Sequence, residues 1–126
     1  MRFIKINNKD YGLKFTSKKI SELNVKGITL TTLSKEMEQM KLDNLYIAFY
    51  VGLQTLQHDM TLEKAYDIID EYYEESEDNT AETFFLMVLE EYAKAMGLGK
   101  QFKKIQTEIE TEKKVVEVQE MKEIVE

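Results

Sequence analysis

The chain has 126 residues, 43% of them hydrophobic and 33% charged, with no cysteine and no proline. That size suits one modest core and not two independent domains. The lack of cysteine excludes disulfides, thiolate metal centres and a thiol nucleophile, and favours an intracellular setting. The N-terminus has no signal-type apolar run, and no stretch approaches the roughly 18 apolar residues a membrane span needs.

Net charge is −7, unevenly spread. Residues 1–41 carry nine Lys/Arg against four acids, residues 42–97 two against thirteen, and residues 98–126 six against seven. A basic front of +5 therefore precedes an acidic body of −11, a split to be satisfied inside the fold or by a partner. An anionic body disfavours nucleic acid, and the front lysines form no platform interleaved with aromatics.

The first stretch, "RFIKINNKDYGLKF", alternates like a hairpin. With Asn7-Asn8 at the turn, both residues need positive φ, which asparagine tolerates. Counting outward pairs Ile6 with Lys9, Lys5 with Asp10, Ile4 with Tyr11, Phe3 with Gly12 and Arg2 with Leu13. One face then holds Ile4, Ile6, Tyr11 and Leu13, and must lie on helices because an isolated hairpin is marginal in water. The strand edges are expected to stay open for pairing with another chain.

Everything after the hairpin reads as helix. Residues 17–23 form a short helix with Ile20 and Leu23 inward, stopped by Asn24 and Gly27. A second, opened by the Thr29 to Thr32 cluster, carries Leu30, Leu33, Met37 and Met40. The third, capped by Asp43, has Leu45, Ala48, Phe49, Gly52, Leu53 and Leu56 in one stripe, with Tyr46, Ile47, Tyr50 and Val51 around the rest, so it is expected to be central. Thr61 caps a fourth with Leu62, Ala65, Tyr66, Ile69 and Tyr72 on one face and acids on the other. Asn79 with Glu82 is read as the capping box of a fifth, whose stripe of Ala81, Phe84, Phe85, Val88, Leu89, Tyr92 and Met96 runs to Gly97. Residues 98–126 are Lys/Glu/Gln-rich and lose helical phase after Ile109, so they read as a flexible, conditionally helical tail. The expected architecture is mainly α (α+β): a hairpin on a compact bundle of about five helices over residues 1–97, followed by the tail.

Residues for catalysis are scarce. His58 is the single histidine, so a histidine dyad or multi-histidine metal site is excluded; near the end of the third helix its bland role is to meet free carbonyls. "GLGK" at 97–100 follows a helix and reads as a C-cap, not a phosphate loop. Glu71, Glu74 and Glu75 could start the ExxE of a Mg²⁺-dependent nucleotide pyrophosphatase, but no aspartate follows Asp78 to complete the distant ExxD. The run "DEYYEESED" lacks EF-hand alternation and its glycine. These carboxylates read as a solvated face, and the chain as a non-enzyme without metal or cofactor. The aromatics of the last three helices are mostly core at this spacing. Tyr46, Tyr50, Tyr73, Leu86 and Met87 fall off the main stripes and are the candidate partner-binding residues.

In order and texture, "IxINNKDYGLKF", "LDNLYIAFYVGLQ", "MTLEKAYDIIDEY" and "AETFFLMVLEEYAKAMG" resemble the tail assembly chaperones of long-tailed bacteriophages and prophages over residues 2–97. Two departures stand out: Asn8 occupies the place where such relatives more often have glycine, and "NVKGITLTTL" at 24–33 differs from the family pattern. The resemblance implies a protein of the host bacterial cytoplasm, outside the mature virion. It would bind and solubilise the tape measure protein and help recruit the major tail protein, the latter mainly through a longer form made by programmed frameshift. Self-association through strand edges or helix faces is also expected. A reading from another class is a small acidic regulator that mimics nucleic acid through the Glu/Asp of residues 63–78.

Overall fold

The computed structural model describes residues 1–103. Two strands, β1 (Arg2–Ile6) and β2 (Lys9–Leu13), form an antiparallel hairpin. Five helices follow: α1 (Ser17–Val25), α2 (Leu30–Glu38), α3 (Asp43–Gln54), α4 (Leu62–Glu75) and α5 (Ala81–Ala95). Helical backbone resumes at residues 99–103; the rest of the expected tail lies outside the described residues.

The hairpin register is the one that counting predicts, from Ile6↔Lys9 to Arg2↔Leu13. Asn7 and Asn8 have φ of 50° and 64°, as a two-residue type I′ turn requires. Ile4, Ile6 and Leu13 are buried and Tyr11 half-buried, so the apolar face closes on the helices, β2 against α3 and β1 against α4. Gly52 permits this approach. A Cβ there would lie 2.5 Å from Leu13 Cδ1 and 2.8 Å from Phe15 Cζ, closer than packed carbons tolerate. The Gly52 carbonyl also accepts from the Lys14 amide at 3.0 Å.

The edges of the hairpin are unlike each other. A two-residue turn makes Ile6↔Lys9 a hydrogen-bonded pair, so alternation turns the backbone groups of Phe3, Lys5, Asp10 and Gly12 outward. On β2 the Gln57 side chain occupies that edge: Gly12 N–H donates to Gln57 Oε1 at 2.8 Å, and Gln57 Nε2 donates to Gly12 O at 3.0 Å. The expectation of two open edges is therefore corrected: β2 is closed at Gly12 and Lys14 by the end of α3 and the turn after it.

Helix α3 is central, touching β2, α1, α4 and α5. Leu45, Ala48, Phe49, Val51, Gly52 and Leu53 are buried along it. Leu56 leaves the expected stripe because the helix ends at Gln54, and it is exposed. On α4, Ile68 joins Ala65 and Ile69 in the core while Tyr66 turns outward. Along α5, Phe84, Val88, Leu89 and Tyr92 are buried as the stripe predicts, but Met96 lies beyond the last turn and is exposed.

Caps account for two further differences. Threonine, not asparagine, starts α5: Thr80 Oγ1 accepts from Thr83 N, and the Thr83 hydroxyl accepts from Thr80 N. Asp43 is the first residue of α3 and not its cap, where its charge meets the positive end of the helix dipole. Thr61 caps α4 and Thr29 caps α2 as expected. Gly97, with φ 76°, ends α5: Leu98 N–H reaches back to Ala93 O at 2.8 Å. Tyr92 is fully buried, meets the Phe15 ring at a tilt with centres 5.3 Å apart, and donates from its hydroxyl toward Asn24 Oδ1 (2.8 Å) and Ile28 O (3.0 Å). It thereby ties α5 to the α1–α2 connection.

Candidate partner-binding site

The aromatics of α3, α4 and α5 converge on Phe84, which is fully buried. Phe49 lies 4.9 Å from it between ring centres, Tyr46 and Tyr72 5.7 Å, and Tyr73 6.1 Å. Tyr66 meets Tyr46 edge-on at 6.2 Å. Periodicity explains the convergence. Tyr66 and Tyr73 are seven residues apart on α4 and so share a face, and both look toward the turn of α3 that carries Tyr46.

The cluster is graded from dry to wet. Phe84 and Phe49 form its floor; Tyr46, Tyr72 and Tyr73 are half-buried; Tyr66 is 40% exposed at the rim. Three of the tyrosine hydroxyls are partnered: Tyr46 and Tyr73 share a hydrogen bond at 3.2 Å, and Tyr72 pairs with Thr83 Oγ1 at 2.8 Å. Burial, and then the hydrogen bond with Tyr46, push the Tyr73 phenol well above the ordinary tyrosine range. Rings held at one edge by hydroxyl pairs and open at the other offer rigid apolar area at little entropic cost.

Of the five residues singled out from sequence, the structure brings Tyr46 and Tyr73 together. Tyr50 is half-buried one turn after Tyr46, and its hydroxyl accepts from Gln54 Nε2 at 2.6 Å. Leu86 is half-buried two positions beyond Phe84, on another face of α5. Met87 is buried, 6% exposed, and belongs to the core. Tyr66, expected on the inward stripe, stands instead at the exposed rim. Its only sequence signal was its place between Ala65 and Asp67, where the stripe could pass through either Tyr66 or Ile68.

Electrostatics frame the cluster. α4 carries six acids, Glu63, Asp67, Asp70, Glu71, Glu74 and Glu75, against Lys64 alone. None of these six makes an ion pair within 4.0 Å; among the described residues the ion pairs gather instead at the end of α5. There Glu91, almost fully buried, holds the Met1 ammonium at 3.1 Å and Lys94 at 3.5 Å, while Glu90 holds Arg2 at 3.2 Å and Lys94 at 3.4 Å. Glu91, followed by Glu90, raises the Lys94 pKa. The Lys94 pairs are ordinary neighbours on one helix face, but sequence carries no signal for the Met1 and Arg2 pairs, which span about 90 positions.

No group of three or more His, Cys, Asp or Glu among the described residues is arranged to hold a metal ion. Among the same residues, no helix is long and apolar enough to cross a membrane. In comparison with known proteins, the chain matches no family model, no curated protein and no solved structure.

Proposed function

We propose that this protein is a non-enzymatic assembly chaperone of the kind its sequence resembles, one that shields a long helical phage tape measure protein before the tail polymerises around it. The observation that carries this reading is the graded aromatic cluster, Tyr46, Tyr66, Tyr72 and Tyr73 over Phe84, with a rigid floor and an exposed rim. An amphipathic client helix presents apolar anchors every three or four residues, and such anchors need a semi-rigid apolar surface with a charged border. The unpaired carboxylates of α4 supply that border, and they keep the complex soluble. Recruitment of the major tail protein through a longer frameshifted form belongs to the same proposal.

The test is co-expression with the tape measure protein of the same tail gene cluster, reading its soluble fraction. Wild-type protein should keep the client soluble. The triple substitution Tyr46→Ser, Tyr66→Ser, Tyr73→Ser, checked for retained helicity, should not. An unaltered client yield would sink the proposal.

The unpaired acids favour one second reading, an acidic regulator that occupies a cationic site on another protein. Under that reading, Glu63→Gln with Asp67→Asn and Asp70→Asn abolishes binding, while the tyrosine substitutions leave it intact.

A further inference from the structure

We propose that the aromatic surface of α4 selects its client by charge and phase, taking basic amphipathic helices that repeat one apolar residue and one Lys or Arg every seven positions. The proposal rests on the client reading above and names the chemistry which that reading leaves open. Its ground is a regular stripe on α4. The inward residues Leu62, Ala65, Ile69 and Tyr72, buried or half-buried, are each followed by one member of a second stripe, Glu63, Tyr66, Asp70 and Tyr73. One residue turns a helix by about 100°, so the second stripe runs along the border of the core. Acid and aromatic alternate in it at spacings of three, four and three residues.

The aromatic members are steady and the acidic ones are unanswered. Tyr73 is half-buried against Phe84 and Tyr46, and Tyr66, 40% exposed, leans edge-on against Tyr46. Glu63 and Asp70 are exposed and make no ion pair within 4.0 Å. Lys64 does not serve them from across the stripe: it lies two positions before Tyr66, about 200° round the helix and so on its other side. Asp70 stands beside Tyr73, where its charge adds to burial, the largest cause, and to Tyr46 in holding the proton of that phenol. A cation arriving at Glu63 or Asp70 therefore meets a carboxylate on one side and a tyrosine ring on the other, a setting that suits Lys or Arg through both its charge and its apolar stem.

Spacing and charge together select the occupant. Like members of the stripe are seven residues apart, Glu63 from Asp70 and Tyr66 from Tyr73, which is about 10.5 Å along the axis. A strand shows side chains on one face roughly every 6.6 Å and falls out of step. A helix laid along α4 repeats at the same seven residues. Its apolar positions then meet Tyr66 and Tyr73, and the positions three or four residues away meet Glu63 and Asp70. A neutral or acidic residue at those positions would leave the carboxylates covered without a partner, so charge acts as the filter.

The test is fluorescence polarisation of the full chain with labelled, alanine-rich designed peptides of about 28 residues, long enough to be helical alone. All carry Leu at the first position of each heptad. One has Arg at the fourth position, one Gln there, one Glu, and one has the Arg moved two positions along, onto another face. The phased Arg peptide should bind at least about tenfold tighter than the Gln and out-of-phase peptides, less tightly as salt rises. Glu63→Lys with Asp70→Lys, both exposed and checked for retained helicity, should turn the preference to the Glu peptide. Equal binding of the Gln or out-of-phase peptide overturns the proposal, as does a Lys variant that still prefers Arg. A stripe already filled by a second copy leaves every peptide unbound, which overturns it too. Co-expression with the tape measure protein separates the two readings. If the client needs the tyrosines but stays soluble with the Lys variant, the chaperone reading stands and charge selection falls; if the phased Arg peptide binds while the client is indifferent to the protein, charge selection stands and the chaperone reading falls.

Discussion

Helix α5 and the hairpin use apolar residues in opposite ways. α5 buries Phe84, Met87, Val88, Leu89, Tyr92 and Ala93, and even sinks Glu91 into a knot of ion pairs. The hairpin buries Ile4, Ile6 and Leu13 on one face and leaves Phe3 in solvent on the other, beside the exposed Leu56. The difference shows where the spare apolar surface lies. A helix that looks greasy all round, α3, is largely consumed by neighbours on four sides, with Tyr46, Ile47 and Tyr50 left half-buried, while the element that looks too small to matter retains an open apolar strip. A helix surrounded by other elements needs apolar residues all round it; a two-stranded ribbon at the surface needs only one such face.

The sharpest way to break the comparison is to remove one aromatic from each region. Tyr92→Ala should cost about 3–5 kcal/mol, because it empties a fully buried site and orphans the bonds to Asn24 and Ile28. Phe3→Ala should change stability by no more than about 0.5 kcal/mol. Urea denaturation of the two variants measures both. Equal losses would mean that the outer face of the hairpin is covered.

Two glycines sharpen it further. Gly52→Ala drives a methyl into Leu13 and Phe15, both buried, and should cost about 1–3 kcal/mol. Gly12→Ala meets the exposed end of Leu56, which can swing away, so thermal melts should place it well above Gly52→Ala. Next comes the closed strand edge. Gln57→Ala removes both side-chain bonds to the Gly12 backbone and should cost about 1–2 kcal/mol. It should also raise thioflavin-positive aggregation on storage, since β2 then shows an unpaired edge.

The smallest effect is a pH dependence confined to alkaline solution. The Tyr73 phenol, raised by burial and by Tyr46, and the Tyr92 phenol, raised by burial, hold their protons more tightly folded than unfolded. The folded state then binds more protons than the unfolded one, so stability is intact below the ordinary tyrosine pKa of about 10 and falls as pH climbs past it. Tyr73→Phe should make that decline shallower. Denaturation midpoints from neutral pH to pH about 11, with tyrosinate absorbance as the titration signal, check the sign.

Much of the fold was legible because its signals are local. The Asn7-Asn8 turn fixed the whole register, Thr29 and Thr61 announced their helices, and Gly97 ended α5. What stayed hidden depends on distance in sequence. Whether Tyr66 or Ile68 faces inward is decided by what packs on α4, not by spacing, and the outward turn of Leu56 by where α3 stops. The Gln57 clamp on Gly12 spans 45 residues and the Met1–Glu91 pair about 90, neither with any local signature. Of the candidate site, Tyr46 and Tyr73 could be read as off-stripe aromatics. Their shared hydroxyl bond and the part played by Tyr66 required the packing of α3 on α4.

The most direct test of client binding places a photo-crosslinking phenylalanine analogue at Tyr66 in the full chain, irradiated in cells that also make the tape measure protein. An adduct with the client is expected when it is present. If Tyr66 never crosslinks to the client, while the client still depends on this protein for solubility, the aromatic cluster is not the surface that holds it.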